Sequence, residues 1–230
     1  MPRIPTVPIT GSVYLDGTRR YTSGSNTGLD SNDAWTSSLW VLPQRASGAL
    51  VFNIYTHFGA SGGGGGTSWI AACIDSVSPG RLSARLGGIS TIADAAPANK
   101  WIHFLTTYDG TTTTIYRDGV LKNSGAQAAA LTNGVFRIGD DGSGAAFGKG
   151  FITMVRLWNR VLTAAEILSV YNGETPTSGL LIRYDMTDGT GNTITDSSGN
   201  ANNATGAAVL WSTQVPSTGL RTAAAARTAI

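Results

Sequence analysis

Aspartate–glycine pairs punctuate this sequence. Asp16-Gly17, Asp109-Gly110, Asp118-Gly119 and Asp188-Gly189 each stand beside runs rich in β-branched and aromatic residues. The Asp side chain satisfies turn amides and the Gly accepts positive φ, so each pair reverses the chain tightly. A chain written this way folds into short antiparallel strands. Composition closes the other routes. Helical bundles need Glu, Lys, Leu and Ala at helical spacing, and this chain has two Glu and three Lys. Full disorder is at odds with 41% apolar residues and six Trp. The 30 glycines have no three-residue period, so a collagen helix is excluded. The length of 230 residues suits one large two-sheet sandwich with no need of a covalent staple.

The apolar runs give the strands. Ser12 to Asp16, Ala34 to Leu42, Ala49 to Phe58, Ser68 to Ser76 and Arg81 to Leu86 read as strands. So do Trp101 to Tyr108, Thr112 to Arg117, Val135 to Ile138, Phe151 to Trp158, Gly179 to Asp185 and Ala207 to Trp211. Gly62 to Gly66 is a surface loop; no Gly-Lys-Ser/Thr follows it, so it is not a phosphate loop. One short helix is expected near residues 163–172. Thr163 and Glu166 form a capping box, Ile167, Leu168, Val170 and Tyr171 give it an apolar side, and Asn172-Gly173 ends it. The chain divides into an N-terminal arm (1–10), a domain (11–212) and a C-terminal arm (213–230). Pro2, Pro5 and Pro8 favour an extended N-terminal arm.

Charge and reactive residues limit the chemistry. The net charge is +2, and no run of Lys and Arg offers a footprint for nucleic acid. Cys73 is the lone cysteine and sits in an apolar run, where a thiol behaves as a small hydrophobe. No stretch has the length of a membrane helix or signal peptide. The expectation is a chain made in the cytoplasm that reaches any outside location by another route.

Several segments together resemble the laminin-G-like jelly rolls of the concanavalin A-like lectin and glucanase family. They are Trp101-Ile102-His103, Thr107-Tyr108-Asp109-Gly110 and Ile115-Tyr116-Arg117-Asp118-Gly119, then Gly134 to Gly139, Gly150 to Leu162 and Asp196 to Asn200. The resemblance covers roughly residues 11–212. It implies an all-β, two-sheet antiparallel jelly-roll sandwich. It also implies that Trp40, Trp101 and Trp158 are buried and that His103 is a packing residue. Trp35, Trp69 and Trp211 are not determined by it. The family often has Asp where this chain has Thr153, which weakens any site built on that carboxylate.

Glucanases of this fold carry two Glu close together on one strand, as retaining hydrolysis requires. Here Glu166 caps a helix and Glu174 lies in a loop, so the expectation is no enzyme. The two histidines, His57 and His103, match no hydrolase or zinc motif. Some members of the family bind calcium at the sandwich rim. Asp140 and Asp141 are the candidate ligands here, although an Asp-Gly turn explains them as well. Asp185, Asp188 and Asp196 read as turn formers. No other cofactor is expected.

The function expected from the sequence is a non-catalytic structural or adhesion module. Its first form is a bacteriophage virion component, a capsid decoration or tail accessory at the particle surface. Ile4, Pro5, Val7 and Pro8 in one arm, and Leu220, Arg221, Arg227 and Ile230 in the other, would contact neighbouring virion or homo-oligomer subunits. The alternative is a soluble carbohydrate-binding protein whose partner is a cell-surface glycan.

Overall fold

A computed structural model describes residues 9–29, 33–44, 52–57, 69–74, 81–86, 89–95, 99–126, 134–139 and 149–216. For most of residues 52–95 only the backbone is described. The strands in chain order are β1 (Ser12–Asp16), β2 (Tyr21–Asn26), β3 (Trp35–Pro43), β4 (Phe52–His57) and β5 (Trp69–Ile74). There follow β6 (Arg81–Leu86), β7 (Ile89–Ala95), β8 (Ile102–Tyr108), β9 (Thr112–Arg117) and β10 (Val120–Ala126). Next come β11 (Val135–Ile138), β12 (Lys149–Trp158) and the helix α1 (Ala164–Tyr171). The last strands are β13 (Leu180–Tyr184), β14 (Thr193–Ile194), β15 (Ala204–Thr205) and β16 (Trp211–Ser212).

Two sheets of eight strands form the jelly-roll sandwich. The first runs β10-β9-β8-β3-β12-β1-β16, with β13 also paired to β12. The second runs β14-β15-β2-β11-β4-β5-β6-β7. Alternation along each strand sends one set of side chains inward. Val13 and Leu15 of β1, Trp35, Leu39 and Val41 of β3, and Ile102, Phe104 and Tyr108 of β8 share one core. Tyr21, Phe136, Ile138, Ile194 and Ala204 meet them from the second sheet.

β12 changes phase in its middle. Thr153 pairs with Trp40 and Arg156 with Ser38, so three steps on β12 match two on β3. The extra residue is a β-bulge, and Met154 takes a left-handed φ of 51° within it. Ile152 faces the core before the bulge, and Val155 and Leu157 face it after. Thr153, Arg156 and Trp158 therefore all belong to the outer face.

The helix forms where the sequence places it. Glu166 N–H donates to Thr163 Oγ1 at 3.3 Å, and Thr163 N–H donates to Glu166 Oε2 at 2.9 Å. Arg160 adds a bidentate pair to the Glu166 carboxylate at 2.6 and 2.8 Å. That pairing, with the Thr163 amide, lowers the Glu166 carboxyl to about 2. Ile167 and Val170 pack the helix on the outer face of the first sheet, against Leu105, Trp158 and Leu162.

Five strands are not legible as runs in the sequence: β2, β7, β10, β14 and β15. The expected last strand, Ala207 to Trp211, is also different. β15 belongs to the second sheet and β16 to the first, so the residues between them cross the sandwich. Strand pairing resumes only at Trp211, opposite Val13.

Candidate functional site

The outer face of the first sheet has two halves. Helix α1 and the loop after it cover one half, and several polar side chains beneath find partners within the protein. Thr36 Oγ1 donates to Arg160 O at 2.8 Å and accepts from Leu162 N–H at 3.0 Å. Trp158 Nε1 donates to Pro176 O at 2.7 Å. Arg156, with 1% of its surface exposed, donates to Thr175 Oγ1 (2.7 Å), Met154 O (3.1 Å) and Asp185 Oδ1 (3.2 Å). Burial lowers its guanidinium to about 10, against the opposing pull of the Asp185 carboxylate. It stays charged at neutral pH.

Ser38 and His103 also lie in this half, with Ser38 Oγ 2.8 Å from His103 Nε2. The pair has the outline of a nucleophile and base but not the surroundings. Both residues are buried, and His103 packs between the rings of Trp40 and Tyr171. Its Nδ1 meets no carboxylate; Asp118 accepts the His103 backbone N–H instead, at 2.9 Å. Burial, with the charge of Arg156 beside it, lowers the imidazole to about 3. A base needs a pKa near working pH and access to substrate, and His103 has neither. It is a packing residue.

The other half extends past the helix. Here Tyr14 of β1 pairs with Phe151 of β12, and Phe151 with Leu42 of β3. Val41 pairs with Ile102 at the end of the β3–β8 ladder, and Trp101 precedes β8 by one residue. Core residues flank each of them along the chain, which sets all four on the outer face. The result is a row of Tyr14, Phe151 and Leu42 across three adjacent strands, about 10 Å long at ordinary strand spacing, with Trp101 beside it just before β8. Tyr14, Phe151 and Trp101 are half-buried, and the Tyr14 and Phe151 rings are 4.9 Å apart. Trp101 is thus half-buried rather than fully buried as the family resemblance implied. Pleating puts it opposite the inward Ile102.

Trp40 and Trp158 are buried as expected, and Trp35 joins the main core. Trp211 is half-buried at the rim. The side chains of Trp69, Cys73 and His57 lie outside the described residues. So do all the site residues named from the sequence: Asp140 and Asp141, Ile4, Pro5, Val7 and Pro8, and Leu220, Arg221, Arg227 and Ile230. Among the described residues no group of three or more His, Cys, Asp or Glu could hold a metal ion. Asp196 is a turn former: its carboxylate accepts N–H from Arg183, Ser198 and Asn202 at 2.9–3.0 Å. Thr153, where the family often has Asp, is buried and donates to Gly11 O at 2.8 Å.

Strand order and helix position define a lectin-type sandwich, and sequence comparison agrees. A family model described as the concanavalin A-like lectin/glucanases superfamily matches residues 10–168, and the chain belongs to that family. No curated protein sequence matches the chain. Among solved structures, it is similar to a "putative carbohydrate binding protein" from Bacteroides ovatus, with a TM-score of 0.64 and 17% identity. That alignment covers 90% of this chain and 60% of the other, so this chain spans well under two thirds of that protein. It is also similar to a heptameric SAP-like pentraxin from Limulus polyphemus, with a TM-score of 0.54, 14% identity, and coverage of 72% and 84%. The botulinum neurotoxin serotype D binding domain gives a TM-score of 0.53 at 14% identity, over 74% of this chain and 44% of that one. At these identities the likeness shows the fold.

Proposed function

We propose that this chain is a non-catalytic carbohydrate-binding module, with the row of Tyr14, Phe151 and Leu42, and Trp101 beside it, as its platform. The observation that carries the reading is the placement of three half-buried aromatic rings around Leu42 on the sheet face beyond the helix. The π-face of an aromatic ring is electronegative and attracts the polarised C–H groups of a sugar ring. Neighbouring strands repeat at about 4.8 Å, a spacing of the order of one sugar unit in an extended chain. The sheet holds the rings in place, so little freedom is lost on binding. The names of several structural neighbours refer to binding, which supports a binding role, while the superfamily also includes glucanases.

Affinity electrophoresis through gels containing soluble polysaccharides tests the reading, with end-product analysis of the same mixtures. Retardation in at least one polysaccharide with no shortening of the chain is expected. Depolymerisation, or free migration in every polysaccharide, would count against it. The virion reading rests on the terminal arms, which lie outside the described residues, and no comparison supports it.

A further inference from the structure

A cleft of about 450 Å³ opens at the rim where β16 closes on β1. Its size falls in the range of small-ligand sites, roughly 300–1,000 Å³. It is separate from the aromatic row. We infer that it is a second binding site, one that takes an uncharged sugar ring. The inference shares only its ligand class with the proposed function.

The Trp211 ring forms one wall. Its inner side packs on the main core, and its Nε1 donates to Gly191 O at 2.9 Å. The ring is therefore fixed before any ligand arrives. Thr10, Thr187, Ser212 and Thr213 bring hydroxyls to the walls, and Gly11 and Gly189 bring bare backbone. Among the described residues no charged side chain lines the cleft. An aromatic ring, hydroxyls and peptide groups match a polyol with one apolar face. A carboxylate or sulfate would be stripped of water with no cation to receive it.

The opposite wall is held in a conformation that the sequence does not favour by itself. Met186 adopts φ 59°, while its side chain is anchored in the core at 1% exposure. Non-Gly residues in this region cost about 1–3 kcal/mol and cluster at binding sites. The Met186 carbonyl lies so close to Gly11 that a Cβ there would fall 2.3 Å from its oxygen. Any other residue at position 11 would force the two walls apart. Thr153 ties them together, donating to Gly11 O at 2.8 Å with Asp185 O at 3.4 Å. Arg156 and Arg183 hold the Asp185 carboxylate at 3.2 and 2.8 Å. The Thr that replaces the family's usual Asp thus braces this cleft.

Calorimetric titration of the full chain tests the site, using maltose, cellobiose and lactose and their uronate-terminated counterparts. At least one neutral disaccharide should bind, and its uronate form should bind more weakly. Thr187→Val, at an exposed position on the lip, should weaken that binding about tenfold. Trp211→Ala should abolish it; if that variant does not fold, Thr187→Val carries the test. Val120→Ser, exposed on β10 at the far edge of the same sheet and in neither site, should leave it unchanged. Failure of every neutral disaccharide to bind, equal or tighter uronate binding, or a silent Thr187→Val would overturn the inference. Loss of disaccharide binding in Tyr14→Ser with Thr187→Val silent would overturn the cleft while leaving the platform standing.

Discussion

The two halves of one sheet face solve opposite problems. Under the helix, Ser38, His103, Arg156 and Trp158 lie away from water and bond to the protein itself. Beyond it, Tyr14, Phe151 and Trp101 keep part of their surface in solvent, and the Tyr14 and Phe151 rings lie 4.9 Å apart. Polarity alone would assign these roles in reverse, with the Arg outside and the aromatics inside. The cover decides. A buried Arg is tolerable because Thr175, Met154 and Asp185 meet its donors. Tyr14, Phe151 and Trp101 lie beyond that cover and stay half-buried, which is the arrangement the proposed sugar platform uses. The covered half should therefore control stability and the open half binding.

The largest expected effect breaks the covered half. Arg156→Ala empties a buried site and removes the bonds to Thr175, Met154 O and Asp185, and should cost about 3–5 kcal/mol in denaturant unfolding. A loss below about 1 kcal/mol would mean the network is peripheral.

Acid should act next, also through the covered half. His103 titrates at about 3 in the fold and near 6.5 when unfolded. The unfolded chain alone takes up this proton between those values, so the stability is present above 6.5 and is lost as pH falls toward 3. The slope is about 1.4 kcal/mol per pH unit. Glu166 adds its own loss below about 4.5, through its folded value of about 2. Unfolding curves at pH 7, 5.5 and 4.5 isolate the histidine, and His103→Asn should flatten them. An unchanged slope in that variant would contradict the assignment.

A smaller loss, about 0.5–1.5 kcal/mol, is expected for Glu166→Gln, which weakens the capping box and the Arg160 pair. Of the same small size is Tyr14→Ser on the open half, at about 1 kcal/mol for half an aromatic's burial. A cost as large as that of Arg156→Ala would erase the contrast between the halves.

Features set by neighbours in the chain were legible in the sequence. The Thr163–Glu166 capping box and the Asp118-Gly119 hairpin turn need only a few adjacent residues. β2 was not, because Tyr-Thr-Ser-Gly-Ser-Asn has neither apolar alternation nor a strand-forming bias. The aromatic row was half legible. Tyr14 sits between Val13 and Leu15, so alternation places it outward. That it lies beside Phe151, Leu42 and Trp101 depends on the order β1-β12-β3-β8, which joins residues far apart in sequence. Arg156 stands in an apolar strand, and its partner Asp185 belongs to a different segment. The sequence-named carboxylates and arms fall outside the described residues and so play no part in the contrast.

The central claim is that the open half binds sugar and does not build the fold. It is tested most directly by one double variant, Tyr14→Ser with Trp101→Ser, in affinity electrophoresis against a polysaccharide that retards the parent chain. Retardation should vanish while the melting temperature falls by only a few degrees. Full retardation by a folded double variant would contradict the claim.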